Sequence, residues 1–298
     1  MTSIDDRRDV ARANPWHFVA LLGGNFALGL GPWFVRLADS GPVSAGFWRL
    51  FLPLPLLALL AARQRAAVRP VTPMVTWLLI ILAGVLFALD LASWHIGIAQ
   101  TRLGNASLFG NSGSLILMAW GLIAARRLPK PVELAAIISA VCGAGILLGR
   151  SLEIDRATLI GDLFCILAGI FYFFYILLLQ SARGRFESWE LLFASTLASA
   201  PVMLGIAIGL GEPIWPHVWW PLIALAFCSQ VVGQGLIVFA LRHFSALIIG
   251  VVLLTQPAIS ILAGWLAFGE TLGPLDALGM ALIAAALLLG RLSESGER

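Results

Sequence analysis

The chain has 298 residues, of which 60% are hydrophobic and only 12% are charged. Soluble domains carry roughly 25% charged residues, so this composition excludes an ordinary cytosolic enzyme, a disordered protein, a disulfide scaffold and a nucleic-acid-binding protein. The mean hydropathy of +0.94 is typical of an integral membrane protein, whereas the net charge of +3 says little by itself.

Apolar stretches follow one another along the chain, each close to the roughly 20 residues that cross a bilayer. No small-residue cleavage site follows the first stretch, which is therefore predicted to remain as a span. Short breaks with charged residues, Gly or Pro separate the others, and none is long enough to fold as a soluble domain. The sequence predicts ten transmembrane helices, at residues 16–37, 43–62, 74–98, 103–124, 132–149, 157–180, 188–210, 217–241, 245–267 and 274–290.

The basic residues are distributed unevenly over the predicted loops. With the N-terminus in the cytoplasm, 14 Arg and Lys residues lie on the cytoplasmic side and four lie outside. Positive residues favour short cytoplasmic loops. Both termini are therefore predicted to be cytoplasmic, as an even number of spans requires.

The two halves of the sequence match each other at a nearly constant offset. Trp48-Arg49-Leu50 recurs 141 residues later as Trp189-Glu190-Leu191. Each half, residues 1–150 and residues 151–298, holds five predicted spans, so the second half enters the membrane in the opposite sense. The predicted fold class is thus an all-α integral membrane protein, with ten transmembrane helices in two inverted five-helix repeats around a central cavity.

Several segments within the spans carry a family resemblance. They are Phe87–His95 in the third span, Leu103–Leu108 in the fourth, and the stretch from Gln234 to Leu272. The sequence resembles the drug/metabolite transporter superfamily and, within it, the EamA-type exporters. The resemblance implies a multi-pass protein of the bacterial inner membrane that exports amino acids or related small metabolites.

Ionisable residues within a span are costly and predict a functional site. Asp90 is the clearest candidate, with Trp94 one helical turn later and His95 beside it; an Asp and a His could bind an amino group or relay protons. The alternative is that Asp90 pairs with a neighbour while the two rings lie at the membrane interface. The repeat offset places Gln230 and Gln234 at corresponding positions, where substrate binding and interhelical hydrogen bonding are both open.

Other buried polar residues are candidates for substrate binding, each with helix packing as its alternative: Asn25, Asn111, Tyr172, Tyr175 and Gln256. Arg49 lies about six residues inside the second predicted span and is expected to extend to the outer membrane interface. Its alternative role is to hold a substrate carboxylate.

The predicted function is secondary export of a small metabolite, an aromatic or other neutral amino acid, by alternating access. The alternatives are a multidrug exporter of the same superfamily and, less favoured, an intramembrane enzyme that uses Asp90 and His95. The sequence has no nucleotide-binding, HExxH or GxSxG motif. We therefore expect no enzyme activity, cofactor, metal or nucleic-acid partner. The expected partners are the small-molecule substrate and the lipid bilayer, and the sequence leaves the oligomeric state open, with a monomer as one possibility.

Overall fold

In this computed structural model, the described residues are 15–64, 73–113, 116, 120, 128–182, 186–240 and 256–295. Within these ranges the regular structure is helical, without a strand. Parts of the fourth and ninth predicted spans lie outside the described residues. The helices are α1 (Pro15–Gly29), α2 (Gly31–Leu37), α3 (Pro42–Phe51), α4 (Leu54–Gln64), α5 (Met74–Gln100), α6 (Leu103–Gly110), α7 (Pro131–Ile154), α8 (Arg156–Ala182), α9 (Ser188–Gly209), α10 (Trp220–Leu225), the π-helical segment Ala226–Gln234, α11 (Gly235–Ala240), α12 (Gln256–Phe268) and α13 (Pro274–Ser295).

Five helical segments are long and apolar enough to cross a membrane, and each coincides with a predicted span. They are Pro42–Gln64, Met74–Gln100, Arg156–Leu179, Ser188–Gly209 and Trp220–Ile237. The other predicted spans are helical where they are described, but their described apolar helices are shorter or divided.

Proline divides two of the predicted spans into shorter helices. The first span breaks at Leu30, and Gly31 and Pro32 begin α2. In the second span α3 ends at Phe51, and Pro53 precedes α4. Proline lacks the amide hydrogen that residues inside a helix donate to the preceding turn. Residues in the first turn have no such acceptor within the helix, so proline fits there. The positions of the two predicted spans stay as predicted, and the second still forms one membrane-crossing segment, Pro42–Gln64.

Helix α5 packs along α8 and also contacts α3, α6 and α9. The approach to α8 is close, because a Cβ atom added at Gly97 would lie 2.3 Å from the Cys165 sulfur. Away from these neighbours, α5 exposes large apolar side chains, among them Trp77, Leu78 and Ile81. A helix that is apolar on its exposed face as well as its buried one is suited to a lipid environment.

Candidate substrate site

A cavity with polar walls lies between helices from both halves of the chain, and we call it the polar cavity. The cavity volume is about 70 Å³, well below the roughly 300–1,000 Å³ typical of small-molecule sites. The described residues that line it are Leu28, Arg49, Phe87, Asp90, Leu91, Trp94, Ser107, Gly110, Asn111, Tyr172, Gln234 and Gln256.

Six of the predicted site residues line the polar cavity. Helix α5 contributes Asp90 and Trp94, α8 contributes Tyr172, and Gln234 ends the π segment. The remaining two are Asn111 and Gln256. Residues far apart in the sequence therefore meet at one cavity, and their contact with a substrate stays a prediction.

Two of these residues belong to a chain of side-chain amides. Asn111 donates from Nδ2 to the Ser107 carbonyl oxygen at 2.8 Å and to Oε1 of Gln256 at 3.3 Å. Gln256 in turn donates from Nε2 to Oδ1 of Asn25 at 2.8 Å. Asn25 is fully buried and does not line the cavity. The predicted residue Asn25 thus orients a cavity residue and connects α1 to α12.

Trp94 is fixed against the start of the fourth predicted span. Its indole Nε1 donates to the Ala106 carbonyl oxygen at 3.1 Å. A Cβ atom at Gly110 would lie 2.7 Å from the same nitrogen, so this position requires glycine. On the cavity side, Cζ of Arg49 lies 5.7 Å from the centre of the Trp94 ring, within the range of a cation–π contact.

The other three predicted site residues contact neighbouring helices and are not among the residues that line the cavity. His95 is fully buried, and its Nδ1 donates to a backbone carbonyl oxygen at the start of α3 at 2.7 Å. The ring of Tyr175 stacks on Phe87 with centroids 4.6 Å apart. Gln230 donates from Nε2 to the hydroxyl oxygen of Thr196 on α9 at 2.8 Å.

Arg49 differs from its predicted position. The side chain is only 3% exposed and lines the polar cavity, so the expected extension to the membrane interface is wrong. The physical reason is that α3 is covered by α5, α9 and the π segment. Nε and Nη1 are buried without a hydrogen-bond partner among the described residues. The sequence signal for this residue was an ionisable side chain well inside an apolar span.

Polar contacts between distant segments hold one end of the bundle, which we call the closed end. Arg36, near the end of α2, donates to the carboxylate of Glu270 and to the carbonyl oxygens of Ile98 and Thr101. Glu270 also accepts the backbone amide of Leu103, the first residue of α6, at 3.1 Å. These contacts join the ends of α2 and α5 to the start of α6 and to the loop after α12.

Two further contacts lie at the closed end. Glu212, in the loop after α9, accepts the backbone amide of Ser44 in the first turn of α3 at 2.7 Å. Arg102 forms an ion pair with Asp276 at 3.0 Å. The connections that follow α2, α5, α9 and α12 are therefore tied to one another.

Comparison with known proteins gives consistent matches. Residues 159–291 match the model of the EamA-like transporter family. The threonine/homoserine exporter RhtA of Escherichia coli (strain K12) is 27% identical over 194 residues, which are 65% of this chain and 64% of that protein. The threonine/homoserine exporter RhtA of Salmonella typhimurium (strain LT2) is 26% identical over the same lengths.

The matched region thus spans a little under two thirds of the length of these curated relatives. A solved crystal structure superposes with a TM-score of 0.62 over 93% of this chain and 94% of that chain, at 18% sequence identity, and so shares the fold. The apolar helices fit a multi-pass membrane protein. The similarity to the EamA-like transporter family therefore lies in residues 159–291, a little under half of the chain.

Proposed function

We propose that this chain is a secondary transporter that exports small metabolites, specifically neutral amino acids, by alternating access. The observation that carries the proposal is the polar cavity, whose walls come from α1, α3, α5 and α6 in one half and from α8, the π segment and α12 in the other. Transporters with inverted repeats bind substrate at such a junction. The similarity to exporters of threonine and homoserine supports both the direction and the substrate class.

The packing of the helices supports two inverted five-helix repeats, residues 1–150 and residues 151–298. Helix α5, in the third predicted span of the first half, packs on α8, the first span of the second half. Correspondingly, the π segment in the third span of the second half packs on α1, the first span of the first half. The fifth spans, α7 and α13, pack on each other. An inverted two-fold relation between the halves would produce this exchange of partners.

The distribution of arginine supports cytoplasmic termini in a bacterial inner membrane. In this orientation the closed end faces the outside of the cell. The contacts of Arg36 and Glu270 then hold the transporter closed toward the outside, and export requires them to separate. Alternating access would consist of breaking these contacts while the cytoplasmic end closes.

Counterflow into proteoliposomes tests the proposal. Purified protein is reconstituted, the vesicles are loaded with an unlabelled amino acid, and entry of the labelled compound is followed for L-threonine, L-homoserine and L-phenylalanine. Ethidium serves as a probe for the multidrug alternative. We expect counterflow of at least one amino acid, whereas movement of ethidium without any amino acid would refute the proposal.

Matched glutamine variants test whether the polar cavity carries the transport. Gln234→Leu removes an amide that lines the cavity, whereas Gln100→Leu makes the same change at an exposed position at the end of α5. We expect the first variant to slow counterflow and the second to leave it unchanged. If both variants show the same counterflow as the unaltered protein, substrate does not pass Gln234.

A further inference from the structure

Two side chains of opposite charge line the polar cavity. Arg49 is 3% exposed and Asp90 is 7% exposed, and both line the cavity between the halves. The other described lining residues are neutral, so the formal charges of the described walls cancel. A ligand matched to these walls carries one group of each sign.

The guanidinium of Arg49 has unused donors. Its Nε and Nη1 are buried and have no hydrogen-bond partner in the part of the chain that the structure describes. The contact with Trp94 places the positive charge near the ring and provides no lone pair for the N–H donors of the guanidinium. A buried cation without hydrogen bonds is costly. A carboxylate matches the planar guanidinium, in which Nε or Nη1 forms a two-donor edge together with Nη2.

We infer that the polar cavity recognises its substrate as a zwitterion, with Arg49 binding the α-carboxylate and Asp90 binding the α-ammonium group. The inference rests on the proposed amino-acid transport and adds the groups that select the substrate. If an anion without an amino group binds, its negative charge faces the carboxylate of Asp90. If a cation without a carboxylate binds, its positive charge faces the guanidinium of Arg49. Both arrangements are unfavourable. Leu28 and Leu91 offer apolar surface to the side chain of a neutral amino acid.

Substrate analogues test this assignment in the unaltered protein. Counterflow of labelled L-threonine is competed with unlabelled L-threonine, with L-threoninamide, which lacks the carboxylate, and with 2,3-dihydroxybutyrate, which carries a hydroxyl group in place of the ammonium group. L-Phenylalanine is tested with the corresponding amide and 2-hydroxy acid. A charge-assisted hydrogen bond lost in a buried site lowers affinity by about 10- to 150-fold, so each analogue should compete at least about tenfold more weakly.

Two variants assign each charge to its partner. Arg49→Gln should remove the preference for the acid over the amide, and Asp90→Asn should remove the preference for the amino acid over the hydroxy acid. Arg49→Lys retains the positive charge and should retain the ranking. The ratio between analogues reports recognition, because a general loss of folding lowers transport of all compounds alike. Thermal unfolding in detergent identifies a variant that fails to fold, in which case the ranking in the unaltered protein decides.

Two results overturn the inference while leaving the proposed function in place. One is equal competition by L-threonine, its amide and its 2-hydroxy acid in a protein that does exchange amino acids. The other is an unchanged ranking in folded Arg49→Gln and Asp90→Asn proteins. Failure of the proposed function is distinguishable, because then the unaltered protein exchanges no amino acid.

Discussion

Loss of the Arg36–Glu270 ion pair should open the closed end of the bundle. Glu270→Gln preserves the shape of the side chain and an oxygen that can accept the amide of Leu103, but it removes the negative charge that faces Arg36. The two side chains are 20% and 15% exposed, so water screens this pair less than a surface pair. The substitution therefore weakens the closed state without removing volume.

The size of the effect follows from this partial burial. A hydrogen bond to a charged group contributes about 1.5–3 kcal/mol, and a fully exposed ion pair contributes about 0–1 kcal/mol. For a pair between these limits we take about 1–2 kcal/mol. A loss of this size changes the ratio of closed to open molecules by about 5- to 30-fold.

A cysteine reporter in the polar cavity measures the change. Ser107 lines the cavity, and its hydroxyl oxygen is buried without a hydrogen-bond partner among the described residues, so Ser107→Cys is a mild substitution. In a background without the three native cysteines, a membrane-impermeant maleimide is added to each face of the proteoliposomes in turn. With Glu270→Gln, labelling from the face of the closed end should be about 5- to 30-fold faster.

A second glutamate provides the matched control for this experiment. Glu133 is buried at the start of α7 and accepts the backbone amide of Lys130 at 2.7 Å. Glu133→Gln removes the same charge away from the closed end and should leave the labelling rate unchanged. If Glu270→Gln protein with an unchanged melting temperature is labelled at the original rate from both faces, the ion pair does not hold the closed end.

Two further predictions concern stability, measured by thermal unfolding in detergent. Gly97→Ala should destabilise the protein by about 1–3 kcal/mol, because the added Cβ atom would lie 2.3 Å from the Cys165 sulfur, whereas Gly145→Ala places a methyl group where nothing lies within 4 Å and should not destabilise. Gln256→Leu leaves Asn25 without one of its buried donors and should destabilise by about 1–3 kcal/mol; an unchanged melting temperature would show that the amide chain adds no stability.

Hydropathy alone predicted the positions of the five membrane-crossing helices, because a long apolar segment in lipid must satisfy its own backbone hydrogen bonds. It did not predict the divisions near Leu30 and Pro53. The division near Leu30 comes just before Pro32, where proline occupies the first turn of α2. A mean hydropathy over 20 residues contains little information on such local steric effects.

The orientation of individual polar side chains was less predictable. His95 follows directly after the cavity residue Trp94, yet its ring turns to a carbonyl oxygen of α3. Gln230 and Gln234 are one turn apart, but Gln230 donates to Thr196 on α9. Arg49 was expected at the membrane interface. It is buried instead, because other helices cover it. In each case the deciding partner lies far away in the sequence, so spacing within one helix could not identify it.

The polar cavity and the closed end share two helices, α6 and α12. At the closed end, Glu270 in the loop after α12 accepts the amide of Leu103, which begins α6. At the cavity, Asn111 directly after α6 donates to Gln256, which begins α12. The helices also pack along each other. Because they are tied at both ends, release of Glu270 should shift α6 relative to α12 and disturb the amide contact at the polar cavity. By reciprocity, if closure of this end changes the affinity of the polar cavity for a ligand, the ligand changes the stability of the closed end by the same free energy.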